Sequence, residues 1–272
     1  MARLNLDFEK QLVRDFVKDY LDNDIVKFKD FDFNLLNGSA KYGCEDGNFE
    51  CENSNLIRAV YLLLWGSCVP DITANSLGKG KVYRGDVINS FKTMFGAPSS
   101  DNETYFSGLE LYKPNTELRN RVAHFYKYHR TLGNFIILPN KSYNKKTLNY
   151  FRCTNKWHDF FDRYLVAIQQ ILEDDRCDEP EFFDIVKQNN FFFDWYKGVA
   201  GFKELVETFY LNDFLNKSDK ATRIFIMNFY WRNPEEIEMY TNAANVYLSK
   251  AEKMIAKRSY LMIDQLSKIL EI

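Results

Sequence analysis

The sequence contains no apolar run near the roughly 18 residues that a membrane-spanning helix needs. Its longest candidate is AVYLLLW, at residues 59–65. The opening MARLNLDFEKQLVRDF carries charges throughout and has no apolar core segment, so no secretory signal is expected. Cysteine is scarce and odd in number: Cys44, Cys51, Cys68, Cys153 and Cys177. Free thiols in a reducing cytoplasm are the economical reading. Cys44 and Cys51 have no second pair at zinc-ligand spacing, which argues against a structural zinc site. Histidine is scarcer still. His124 and His129 are five apart, whereas a two-histidine metal face on a helix wants four. No metal and no cofactor are therefore expected. The net charge of −2 supplies no global field toward nucleic acid or an anionic membrane, so any such binding needs a local patch. LGKGKVYRG lacks the spacing of a phosphate-binding loop, and no Gly-x-Ser-x-Gly elbow occurs.

What the sequence does have is apolar and aromatic mass. Apolar residues make up 46 % of the 272, with 24 Phe and 17 Tyr, enough for a sizeable core. The length favours one large domain over residues 1–272. Helical periodicity dominates. Phe8, Leu12, Phe16 and Tyr20 recur along one face over 8–21, and residues 54–66 read as a buried helix. Asn155 is placed to cap a helix running through Leu172, and 200–215 continue the helical pattern. At the C-terminus Asn233 caps, Pro234 takes the first helical position, and Glu235, Glu236 and Glu238 fill the dipole-favoured first turn. That helix is expected to reach about residue 270, with a break near Lys257–Ser259. Strand signals are few: KVYRG at 81–85 and NFIILP at 134–139. The fold class expected is mainly α (α+β), a single helical domain with a small β-sheet and a long C-terminal helix. The run FFFDWYKGVAGF at 191–202 reads as core.

Two constellations carry chemistry. In LRNRVAHFY, after Pro114, a helix presents Asn120 and His124 on one face, and Tyr128 extends it. Arg121 also neighbours His124, whereas Arg119 lies about 140° around the helix from it. The second set is Asp86, Asn89 and Ser90, read as sharing a face at a helix start after a strand, with Arg152, Asp162 and Arg163 as a further polar group. This set is a candidate binding site for a nucleotide or small anion, and the competing reading is a cap plus structural ion pairs.

Arg119-Asn120-x-x-x-His124 resembles the Arg-x4–6-His signature of HEPN ribonucleases. That resemblance implies metal-independent RNA cleavage, usually in a homodimer. His124 would handle the 2′-hydroxyl proton, Arg119 would clamp the phosphate, and Asn120 would orient. A toxin or antiphage role would follow from it. The competing reading is an amphipathic helix with a structural histidine.

A broader likeness spans about residues 55–260. LIRAVYLLLWG, YRGDVINSF, RTLGNFIILP, KTLNYFR, WHDFFDRYLVAIQQIL and NNFFFDWYKGVAGFKELVETFYLNDFL resemble, in order, the blocks of an uncharacterised bacterial protein family of unknown function. Asn134 stands where that family has a second glycine, and Cys153 replaces the glycine after Arg152. The likeness implies no activity. The functions expected are therefore an endoribonuclease first, then a protein-interaction module or a nucleotide or small-anion sensor. RNA or a protein is the expected partner, with no membrane.

Overall fold

A computed structural model describes residues 6–23, 54–78, 81–89, 116–125, 127–152, 161–224 and 234–272. Helix α1 spans Leu6–Asp22; of the expected stripe Phe16 is buried and Leu12 and Tyr20 are half-buried, while Val13 and Val17 beside it are fully buried. Helix α2, Asn55–Trp65, begins at Ser54, whose Oγ accepts from the Ile57 amide at 3.3 Å. This capping bond satisfies one of the free first-turn N–H groups. The helix is apolar nearly all round, so it sits inside the core. Its two polar-tipped aromatics find partners. Tyr61 donates to the Ile136 carbonyl at 3.2 Å, and Trp65 Nε1 donates to the Thr208 carbonyl at 2.9 Å.

Strand β1, Tyr83–Val87, pairs antiparallel with β2, Phe135–Pro139, in the register Tyr83↔Pro139 to Val87↔Phe135. All five residues of β2 are buried, whereas β1 alternates, with Arg84 and Asp86 partly exposed. Beyond the ladder, Asn134 extends the pairing with its side chain. Its Oδ1 accepts from the Asn89 amide at 3.0 Å, and its Nδ2 donates to the Asn89 carbonyl at 2.9 Å and the His129 carbonyl at 2.7 Å. Asn134 thus acts as one more ladder residue.

Helix α3 is Thr116–Phe125 and ends before Tyr128, which lies in a turn. The expected extension of the helical face to Tyr128 is therefore wrong, although its ring stays 6.0 Å from that of His124. Next come α4 (Leu148–Arg152), α5 (Phe161–Asp174), α6 (Pro180–Gln188), α7 (Asn190–Phe193) and α8 (Gly198–Thr208). The expected cap Asn155 lies outside the described residues. The helical pattern of 200–215 is interrupted at Thr208 because Tyr210 turns into the left-handed region at φ 56° and the Leu211 amide reaches back to the Val206 carbonyl at 2.8 Å. This is a Schellman-type stop made without glycine. Phe192, Phe193, Tyr196 and Phe202 are buried, so the aromatic run is core, with Trp195 left outside at 61 % exposure.

Helix α9 runs unbroken from Pro234 to Leu270, and the expected break near Lys257–Ser259 does not occur. Arg258 and Ser259 interrupt the apolar pattern because they grip another segment. The fully buried Arg258 guanidinium donates to the carbonyls of Gly133 (2.7 Å), Phe135 (2.6 Å) and Phe209 (2.8 Å). Ser259 Oγ accepts from the Gly133 amide at 2.7 Å. A Cβ at Gly133 would run into the Ile255 carbonyl and Ser259, so only glycine lets α9 come this close. Burial pushes the Arg258 guanidinium down to about 9, which leaves it cationic at neutral pH. Among the described residues no helix is long and apolar enough to cross a membrane.

Candidate active site

Helices α3 and α9 meet along a polar seam. On α3, Glu117, Arg121 and His124 stand at i, i+4 and i+7, and on α9 Asn245, Ser249 and Glu252 have the same spacing. Such spacing lines up one face of each helix. The contacts rise in order along both helices. Asn245 Nδ2 donates to Glu117 Oε1 at 3.0 Å, and Arg121 Nη2 donates to Ser249 Oγ at 3.0 Å. Arg121 then grips Glu252 with both forks, Nη1 on Oε1 and Nη2 on Oε2 at 2.7 Å. His124 Nδ1 lies 3.0 Å from Glu252 Oε1.

Burial grades across this group. The Glu252 side chain is 11 % exposed, that of Arg121 19 % and that of His124 48 %. The carboxylate is nearly dry, and half the imidazole is wet. An ionised carboxylate only accepts, so the Nδ1 contact requires N–H on Nδ1. Nδ1 also lies 3.3 Å from Arg121 Nη1, which fits two donors converging on one carboxylate oxygen. In the neutral ring Nε2 is then the free lone pair, and Nε2 has no hydrogen-bond partner among the described residues. A histidine so arranged is held in one tautomer and can take a proton from a ligand on its open side.

The residues singled out from the sequence scatter differently. His124 is in the seam. Asn120 is exposed on the same helix one turn earlier. Arg119 occupies the far side of α3 by position, and its side chain lies outside the described ones. Arg121 is the arginine that reaches the histidine. Asp86 and Asn89 do not share a helix start. Asp86 is inside β1 with Oδ1 accepting from the Val87 amide at 2.8 Å. Asn89 follows the strand, fully buried, and its Oδ1 accepts from the Tyr247 hydroxyl at 2.7 Å. Ser90 lies outside the described residues. Arg163 lines a separate cavity of about 210 Å³ with Gln170, Cys177, Asp178, Glu179 and Arg223, to which neither Asp86 nor Asn89 contributes. Arg152 ends α4, and its side chain lies outside the described ones. Asp162 is buried and accepts from the Arg163 amide at 2.9 Å and the Ile224 amide at 2.5 Å, a structural tie. Among the described residues no three His, Cys, Asp or Glu side chains cluster as metal ligands.

The polar seam and the Arg258 clamp both fall inside residues 30–262, which match one family model. The chain belongs to a family of unknown function, DUF6994. The match takes in every block of the broader likeness seen in the sequence, while α1 lies before it. No curated protein and no solved structure matches the chain.

Glu252, Ser249 and Asn245 are not recognisable as site residues in the sequence. The signal is present as a second polar stripe beside the apolar stripe of α9, with the spacing of the stripe on α3. It lacks any local cue that the two stripes meet.

Proposed function

We propose that the chain is a metal-independent endoribonuclease acting in the cytoplasm, with His124 as its general base. One observation carries this reading. The His124 imidazole has Nδ1 fixed on a nearly buried carboxylate while its other side is open to solvent. That is the arrangement acid–base catalysis by histidine requires, with a third group orienting the base. Nε2 takes the 2′-hydroxyl proton, the 2′-oxygen bonds to phosphorus, and the P–O5′ bond breaks. The leaving 5′-oxygen takes a proton from water, and the products are a 2′,3′-cyclic phosphate and a 5′-hydroxyl. Glu252 stabilises the imidazolium that forms, and Arg121 holds Glu252.

The HEPN-like roles of His124, Arg119 and Asn120 are kept, and Arg121 and Glu252 are added to them. Arg121 has both terminal nitrogens on Glu252, so it positions rather than clamps phosphate. The negative charge that builds on the phosphate oxygens is left to Arg119, which lies about 140° around α3 from His124 and would meet the substrate through its long side chain or from a second subunit. Asn120, exposed one turn before His124, would orient the substrate. The test is cleavage of total RNA in EDTA by the wild type and by His124→Ala, with folding checked by circular dichroism. Cutting by the wild type alone supports the reading. Absence of cutting by both, or equal cutting, overturns it.

A further inference from the structure

The exposed face of α9 next to the seam carries Lys250, Lys253 and Lys257, spaced at i, i+3 and i+7. At 100° per residue these three and Tyr260 fall within an arc of about 80°, and Lys250 to Tyr260 covers about 15 Å of helix. The lysines line an open cleft of about 500 Å³, whose other walls come from Asp213–Asn216 and from Thr222 and Ile224. Its floor includes Phe214, Leu215 and Met254. Asp213 is the one acid among the lining residues, and it pairs with Lys257 at 2.7 Å. Lys250 and Lys253 have no acidic partner among the described residues. In a chain of net charge −2, this concentration of unmatched positive charge is a local exception. Tyr260 stands at the end of the stripe with 70 % of its surface exposed.

We propose that this cleft binds the sugar-phosphate backbone of single-stranded RNA and that Tyr260 stacks on a base, feeding the strand to His124. The inference rests on the ribonuclease reading for its direction, and on the cleft alone for the binding. Unpaired lysines over an apolar floor, ended by an exposed ring, suit a ligand with repeated negative charge and flat apolar faces. Glu252 is the residue before Lys253, about 100° around the helix. A strand lying on the lysines therefore passes the seam at the same height along α9. The cleft is also the place to look for the positive charge that Arg121, occupied by Glu252, does not offer.

The test measures binding of a fluorescein-labelled single-stranded 12-nucleotide RNA by anisotropy, on the full chain carrying His124→Ala to prevent cleavage. Adding Lys250→Glu and Lys253→Glu is expected to weaken binding at least tenfold. Replacing both lysines by Ala is expected to lower the slope of log Kd against log salt by about 1.4, two phosphate contacts at about 0.7 each. Tyr260→Ala is expected to weaken binding about tenfold. Binding that ignores the lysine changes, or no binding by the folded protein, overturns the proposal. Equal competition by a mononucleotide and by the unlabelled strand overturns it in favour of a small-anion site. Capture of a protein at this face with no RNA affinity overturns it in favour of a protein interface. Cleavage of the dinucleotide UpA, too short to span the stripe, is followed in parallel with His124 intact. UpA cut equally by wild type and lysine variants leaves the His124 site standing whatever the cleft does. RNA bound in the cleft with no cleavage of any substrate leaves the cleft standing and sinks the ribonuclease reading.

Discussion

Glu252 and His124 stand 128 residues apart in the chain and 3.0 Å apart in space. The same carboxylate receives both terminal nitrogens of Arg121. This one acid therefore joins α3 to α9 and sets the tautomer of the histidine.

Removing Glu252 leaves the Arg121 cation with little solvent to turn to. Glu252→Ala is expected to cost about 3 kcal/mol of stability, the low end for a buried pair because the seam is partly wet. Arg121→Ala is expected to cost a similar amount. The double variant should lose much less than the sum, with a coupling of about 1–3 kcal/mol. Urea unfolding of the four proteins measures this. Additive losses would mean the two groups do not act as a pair.

Arg258 is charged and buried, with three carbonyls and no acidic partner among the described residues. Arg258→Lys is expected to destabilise by about 3 kcal/mol, since an ammonium cannot reproduce the guanidinium fork and leaves carbonyls unpaired. The pH dependence has a definite sign. Burial lowers the folded-state value to about 9, below that of the unfolded chain, so the unfolded chain holds this proton more tightly. The cost is constant below about 9 and is relieved as pH rises through it. The stability of the wild type relative to Arg258→Met should therefore grow from pH 8 to pH 10. A difference that is flat or falls contradicts this.

Gly133 and Ser259 mark where α9 touches the chain ahead of β2. Gly133→Ala should destabilise by about 3 kcal/mol or prevent folding, because the clash is with the α9 backbone. Ser259→Ala should cost only about 1–2 kcal/mol, the loss of one buried hydrogen-bond partner. Thermal unfolding ranks the two, and the reverse order would contradict the packing.

Within the aromatic run, position decides the energy. Phe192→Ala should cost about 3–5 kcal/mol, since the ring is buried among Phe193, Tyr196 and Phe209. Trp195→Ala should fall within about 0.5 kcal/mol of wild type. A large loss from Trp195→Ala in chemical denaturation would refute the burial assignment.

Elements with strong local periodicity are legible in the sequence: α1, α2, the two strands and α9 lie within a few residues of where the pattern puts them. The misreadings share a cause. Arg258 reads as a helix break because periodicity cannot tell a buried arginine with three carbonyl partners from a surface one. Asp86 and Asn89 read as helical because i and i+3 spacing says nothing when the segment is extended. His124 is visible as a candidate, but its acid comes from a helix more than a hundred residues later, and only tertiary packing chooses that partner. The lysine cleft is hidden the same way, since its walls come from three separate stretches of chain.

The chemistry of the cut ends tests the role of His124 as general base most directly. A labelled oligoribonucleotide is incubated with the wild type in EDTA, beside an oligonucleotide of the same sequence with 2′-O-methyl sugars, and the products are resolved by mass spectrometry. Expected are 2′,3′-cyclic phosphate and 5′-hydroxyl ends from the ribose strand, none from the methylated strand, and none with His124→Ala. Cleavage of the methylated strand, 3′-hydroxyl and 5′-phosphate ends, or an intact ribose strand would contradict that role.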